Sequence, residues 1–194
     1  MPYFEKIPGG RIYLSPMDPD DAALYTKWMN DLEVTRWLTM HSSVFSLPAE
    51  RAYLENTAKE TNKHQFSIVL RGGGDAPGGY RLLGNISLMD VNQINRRATL
   101  GVFIGEEEDR SKGYGTEAIR LLVEYGFNWL GLRNIDLHVN SSNARAIACY
   151  KKAGFREYGR RHCAIFADGQ WYDDLLMEAL APDFPCPIVD SVLE

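Results

Sequence analysis

Arg110-Ser111-Lys112-Gly113-Tyr114-Gly115 is the segment best equipped for chemistry, because it stands between a strand candidate and the strongest helix candidate in the chain. Glycines let a backbone approach a phosphate closely and adopt conformations closed to other residues. The first amides of the following helix point outward unpaired, and the helix dipole favours an anion there. Arg110 and Lys112 add positive charge, so a pyrophosphate is the guest this segment predicts. A P-loop requires its lysine after the last glycine, whereas Lys112 precedes both, which removes that reading. Gly113-Tyr114-Gly115-Thr116-Glu117-Ala118 matches G-x-G-x-x-A of dinucleotide-binding folds, and Asp136 follows at about the expected distance. That motif should follow its strand directly, yet Glu106–Lys112 intervenes, and too little chain remains to complete a doubly wound sheet. A capped surface helix behind a glycine-rich loop is the bland alternative, which the motif alone leaves open.

The elements that must position this segment are legible on both sides of it. Upstream, Arg11–Leu14 reads as a strand, and Asp18-Pro19-Asp20-Asp21 as a helix start carrying Leu24, Trp28 and Leu32 at helical spacing. A second helix from about Ser46-Leu47-Pro48 carries Tyr53, Leu54 and Ala58, and Gln65–Leu70 reads as a strand. Gly72–Gly79 is a flexible hairpin loop, followed by strands Arg81–Met89 and Arg97–Ile104 about a polar turn, Asp90–Arg96. Downstream, Ile119, Leu122, Val123, Gly126, Phe127 and Leu130 form one apolar helix face. A strand, Asn134–Asn140, alternates Ile135, Leu137 and Val139 with polar residues. A helix from about Asn143 to Ala153 stops at Gly154, and two last strands flank the hairpin signal Asp168-Gly169. Strands and helices interleave without strict alternation, which predicts an α/β fold: a mixed sheet with helices on its faces.

Bulk properties exclude several classes. The 194 residues fit a single domain, 1–194, and 45% hydrophobic with 24% charged residues is a soluble globular composition. A net charge of −5 offers no footprint for nucleic acid or an anionic membrane, and no apolar run is long enough to span a bilayer. The opening Met-Pro-Tyr-Phe-Glu-Lys lacks the apolar core of a signal peptide, so a cytoplasmic protein is expected. Cys149, Cys163 and Cys186 are odd in number and lack metal-ligand spacing, which predicts free thiols and no metal.

Arg110-x-x-Gly113-x-Gly115 at a strand-to-helix junction resembles the acetyl-CoA pyrophosphate loop of the GNAT acetyltransferases. The resemblance continues through Asn134–Asn140, Asn143–Tyr150 and Lys151-Lys152-Ala153-Gly154-Phe155. An asparagine that opens a helix, a tyrosine seven residues on and a Gly-Phe pair stand at that family's spacing. Within it, Trp28–Thr35 and the Asp168–Tyr172 hairpin look like the RimJ/RimL-type and spermidine acetyltransferase subgroup. The resemblance implies a mostly antiparallel central sheet with flanking helices, and acetyl transfer from acetyl-CoA to a primary amine without an acyl-enzyme. The amine would belong to a small molecule, an amino sugar or a protein N-terminus, and a homodimer is compatible with the resemblance. Val102, Phe103 and Ile104 would lend backbone groups to the pantetheine arm where the neighbouring strand splays away. Arg110, Ser111, Lys112, Gly113, Tyr114, Gly115 and Thr116 would cradle the pyrophosphate, and Asn143 would contact the cofactor. A CoA-binding module without turnover is the alternative from a different class, and a nicotinamide-dependent oxidoreductase is a second.

The same resemblance makes Tyr150 the expected catalytic residue. Expelled CoA thiolate needs a proton or a strong hydrogen bond. A thiol has a pKa of about 8.5 and a tyrosine about 10, so full transfer is uphill by roughly 2 kcal/mol and hydrogen-bond donation is the better description. The base is less legible. Relatives carry glutamate at the places of Thr99 and Cys163, and this chain has neither, so Asp90, His138 and His162 are the candidates. The acidic run Glu106–Asp109 reads as a solvated loop, and Cys149 as a small core residue.

Overall fold

The computed structural model describes residues 3–38, 42–57, 59–60, 63–72 and 79–182. Strands β1 (Ile7–Pro8), β2 (Ile12–Pro16), β3 (His64–Leu70), β4 (Arg81–Asn92), β5 (Arg97–Ile104), β6 (Asn134–Asn140), β7 (Arg156–Ala167) and β8 (Gln170–Leu180) form one sheet in the order β1-β2-β3-β4-β5-β6-β8-β7. Every pairing is antiparallel except β5 with β6. This mixed, mostly antiparallel sheet carries helices α1 (Ala22–Met29), α2 (Leu32–Thr35), α3 (Leu47–Thr57), α4 (Tyr114–Asn128) and α5 (Ala144–Lys152). It is not the parallel doubly wound sheet that the dinucleotide motif requires.

The periodicities place the central elements correctly. Ile119, Leu122, Val123 and Gly126 of α4 are buried, as are Ile135, Leu137 and Val139 of β6, in one core with Ile86, Leu88 and Met177. Asp168 and Gly169 both take positive φ (51° and 74°), as a two-residue hairpin turn demands. The N-terminal third departs from the reading. Asp18 does accept from the Asp20 amide at 2.9 Å, but the capped element is a 3-10 turn, Pro19–Asp21. Leu32 does not share the α1 face. The chain breaks at Asn30, whose side-chain amide donates to the carbonyls of Thr26 and Phe45, and Asp31 caps a separate α2. Leu32 is consequently 70% exposed, while Tyr25 and Trp28 take the core positions. Tyr53 is also exposed, so Leu54 alone anchors the middle of α3. Ala58, residues 73–78 of the glycine-rich loop and Cys186 lie outside the described residues.

Trp28 links α1 to the end of β5. A side chain at Gly105 would put its Cβ 2.1 Å from the indole, so the backbone passes directly over the ring. The indole Nε1 donates to Glu106 at 2.9 Å, and Lys27 approaches the same carboxylate at 2.6 Å. Glu106 is therefore a fixed bracket where the sequence suggested a solvated loop, and both donors hold its pKa below the usual range. Asp109 is likewise buried, gripped by the Arg81 guanidinium at 2.6 and 2.7 Å.

Asp21 carries a cost that pH exposes. Tyr3 donates to its Oδ1 at 2.9 Å, and its buried Oδ2 has no partner among the described residues. Burial raises its pKa from 3.8 to about 6, against the lowering effect of the Tyr3 bond. Because the folded value lies above the unfolded one, the stabilisation from its bound proton is complete below 3.8 and lost as pH rises through about 6. Asp21→Asn, which keeps the Oδ1 acceptor, should therefore raise Tm at pH 7.5, with the gain disappearing as the pH falls towards 3.8. Thermal melts at both pH values check this; an equal gain at both would remove ionisation as the cause.

Candidate active site

The parallel contact between β5 and β6 lasts only three residues, Arg97–Thr99 against Asn134–Asp136. Thr99 closes it by donating its hydroxyl to Asp136 at 2.7 Å, and beyond this rung the strands part. A cleft of about 340 Å³ opens in the gap. Val102, Phe103 and Ile104 of β5 line one side, and the start of α4 and one face of α5 line the other. The edge of β5 beyond Thr99 has no ladder partner in β6, so backbone groups there face the cleft.

The loop before α4 is shaped for an anion. Ser111 and Gly113 both have positive φ (62° and 87°), and Gly113 occupies the N-cap position, where it has no side chain to satisfy the first amides. Glu117 lies in the first helical turn, where its charge would oppose an anion. Its carboxylate is turned back to accept from the Arg11 and Ile12 amides (2.9 and 3.4 Å) and from Arg11 Nε (3.1 Å). Arg11 also donates to the Lys112 carbonyl at 2.8 Å, bracing the loop from outside. The sequence reading missed Arg11, which is distant in the chain.

Of the loop residues, Arg110, Ser111, Gly113, Gly115 and Thr116 line the cleft, whereas the Lys112 and Tyr114 side chains turn elsewhere. Lys112 points towards Asp109 at 3.7 Å, and the Tyr114 ring lies under the Arg11 guanidinium. Arg110 is not the free charge that was expected. Its guanidinium donates to the carbonyls of Ile104 (3.2 Å) and Gly105 (2.8 Å), clamping the end of β5 to the loop. Burial, and then the nearby charge of Arg145, lowers its pKa. Arg145 itself is exposed on the cleft wall, two residues beyond Asn143. That position on the first turn of α5 was the signal that could have revealed it.

Asn143 opens α5 by accepting from the Ala146 amide at 3.1 Å, and it lines the cleft. Two turns later, Tyr150 stands on the cleft wall, its ring packed on Phe155 at 6.0 Å. Its hydroxyl has no hydrogen-bond partner among the described residues. Burial, reinforced by the neighbouring Cys149, pushes its pKa well above the ordinary tyrosine value. Cys149 contacts Thr116 (Sγ to Oγ1, 3.1 Å), seating α5 on the start of α4.

The three candidate bases separate cleanly. Asp90 sits on the exposed end of β4 and is not in the cleft, and His162 is exposed on β7 beside Asp173. His138 lines the cleft, and its Nδ1 lies 3.0 Å from a carboxylate oxygen of buried Asp174, which Arg161 also approaches at 3.3 Å. Asp174 is separated from His138 by 36 residues, which hid the pair from sequence reasoning. Cys163, in the bulge of β7, is exposed with φ of 48°, and its amide donates to Asp173. Among the described residues no cluster of three or more His, Cys, Asp or Glu could hold a metal, and no helix is long and apolar enough to cross a membrane.

Known proteins share the fold. The family profile of the acetyltransferase (GNAT) domain matches residues 11–156. Spermidine N(1)-acetyltransferase of Escherichia coli K12 is 34% identical over 94 residues, 48% of this chain and 50% of that protein. The probable N-acetyltransferase YjcK of Bacillus subtilis is 37% identical over 106 residues, 53% of this chain and 57% of that protein. The chain thus spans about half the length of these curated relatives. The crystal structure of Vibrio cholerae spermidine N-acetyltransferase in complex with CoA and spermine superposes with a TM-score of 0.76 at 23% identity, covering 88% of this chain and 95% of that one.

Proposed function

Because the chain belongs to the GNAT acetyltransferase family, we propose that it transfers an acetyl group from acetyl-CoA to a primary amine by direct attack on the thioester. The observation that carries this reading is the Tyr150 hydroxyl, unpartnered on the wall of the same cleft that receives the unladdered edge of β5 and the uncapped start of α4. The edge of β5 suits the amide-bearing pantetheine arm, and the amides of Gly113–Thr116 suit a pyrophosphate. Arg145 adds charge there, while Arg110 acts as the clamp that fixes both walls.

His138 and Tyr150 divide the proton work. With Nδ1–H donating to Asp174, Nε2 of His138 is left as an acceptor for a proton of the attacking amine. The amine nitrogen bonds to the acyl carbon, the carbon–sulfur bond breaks, and sulfur leaves with the electron pair. Tyr150, kept protonated by its burial, donates a hydrogen bond to that sulfur. A cytoplasmic, reducing setting fits the free thiols Cys149 and Cys163. Relatives named for spermidine make a polyamine the first acceptor to test.

Acetyl-CoA should raise Tm, adding about 2.7 kcal/mol of stability at 100 times its Kd, while NADH should not. Thiol release should then depend on added amine. Stabilisation without thiol release for any amine would favour a binding module without turnover.

A further inference from the structure

We propose that the acceptor is a primary amine carried on an apolar body with no second positive charge, entering between Trp37 and Leu38 on one side and His138 on the other. This rests on the acetyl-transfer reading and deepens it. Helix α2 and the segment following it bring Val34, and then Trp37 and Leu38, to the cleft. The segment is held there by Arg36, which lies 3.5 Å from Glu33 and is ion-paired to Asp168 at the tip of the β7–β8 hairpin. The cleft wall offered by Val34, Trp37 and Leu38 is therefore apolar and tied through Arg36 to the β7–β8 hairpin.

The charges around this space disfavour a polycation. Among the described cleft-lining residues the one carboxylate is Asp109, whose side chain is 0% exposed and already in the fork of Arg81. Asp174 is shared by His138 and Arg161, and Glu33 and Asp168 are both engaged by Arg36. Arg161 stands beside His138, its guanidinium 3.5 Å from Nδ1. One face of Trp37 already carries the Arg36 guanidinium, 5.0 Å from its ring centre, so the indole's cation-binding capacity is partly taken up. A second ammonium beside His138 would lose water without meeting a cleft-lining carboxylate free to answer it, and would lie near the Arg161 guanidinium. An apolar body loses nothing of this kind and gains contact with Trp37 and Leu38.

The test compares 2-phenylethylamine with spermidine. Both present a primary alkyl amine, so their difference reports the body and not the deprotonation. Binding to the CoA-loaded protein and kcat/KM with acetyl-CoA are measured separately. Phenylethylamine should win by about tenfold or more in both, within the range an apolar pocket delivers. Trp37→Ala should erase most of that advantage while leaving the Kd of acetyl-CoA unchanged. Spermidine binding or turning over as well as phenylethylamine would overturn the proposal, as would a Trp37→Ala variant that binds acetyl-CoA but keeps the full preference. Failure of acetyl-CoA itself to bind would instead strike the acetyl-transfer reading. Turnover of spermidine would leave that reading standing and sink this one alone.

Discussion

Tyr150→Phe should bind acetyl-CoA as tightly as the parent and lose about 10²–10⁴ in kcat, the usual worth of a proton donor. The substitution removes only the hydroxyl. The ring keeps its contact with Phe155, and no described residue loses a hydrogen-bond partner. Deleting a hydroxyl that opens to the cleft and has no protein partner is close to neutral for stability, so Tm should not fall. The loss then reports chemistry and not folding. The raised pKa of Tyr150 gives a second readout. Because burial keeps the phenol protonated above its ordinary value of 10.0, the wild-type rate should show no decline from tyrosine ionisation as pH approaches that value. Single-turnover kinetics keep product release from masking the effect. Unchanged single-turnover rates in the variant would remove Tyr150 from the mechanism.

Gly115→Asp should separate stability from binding in the opposite sense. A Cβ at Gly115 meets nothing closer than Cys149 Sγ, at 3.8 Å, and the backbone there is not left-handed. Aspartate therefore fits, and near a helix N-terminus it is electrostatically favoured, so Tm should hold or rise. The same carboxylate would occupy the place proposed for the pyrophosphate. Two like charges about 4 Å apart at an effective dielectric near 20 repel by about 4 kcal/mol, so acetyl-CoA affinity should fall at least about a hundredfold. Gly113 would not give so clean a test. Its φ of 87° strains any side chain, and a Cβ there would lie 3.1 Å from Arg11 Nη2, so a variant would perturb fold and site together. Isothermal titration with acetyl-CoA checks the prediction. Parent-like affinity in Gly115→Asp would show that the anion does not sit at this loop.

The elements that carry the site were readable because their signals are local. The α4 stripe, the alternation of β6, the Asn143 cap and the Asp168-Gly169 turn each depend on residues within a few positions of one another. Spacing along α5 likewise puts Asn143 and Tyr150 two turns apart on one helix face, and the resemblance attached a role to each. Local signals failed where a partner lay far away. Leu32 continued a helical period, but Asn30 reached across to Phe45 and broke the helix. Glu106 looked solvated until α1 delivered Lys27 and Trp28 to it.

Sequence by itself determined the helix that begins at the glycine-containing loop, the strands beside it and the tyrosine that follows. Tertiary structure alone decided which charges are available to the cleft. It spent Arg110 on the carbonyls of β5, turned Glu117 back onto Arg11, left Arg145 in the open and gave His138 a carboxylate from β8. The physical reason is that hydrogen bonds and ion pairs form across strands and helices distant in the chain. A charged residue's residue type is fixed by the sequence, but whether its charge is free or already answered depends on what the folded chain sets beside it.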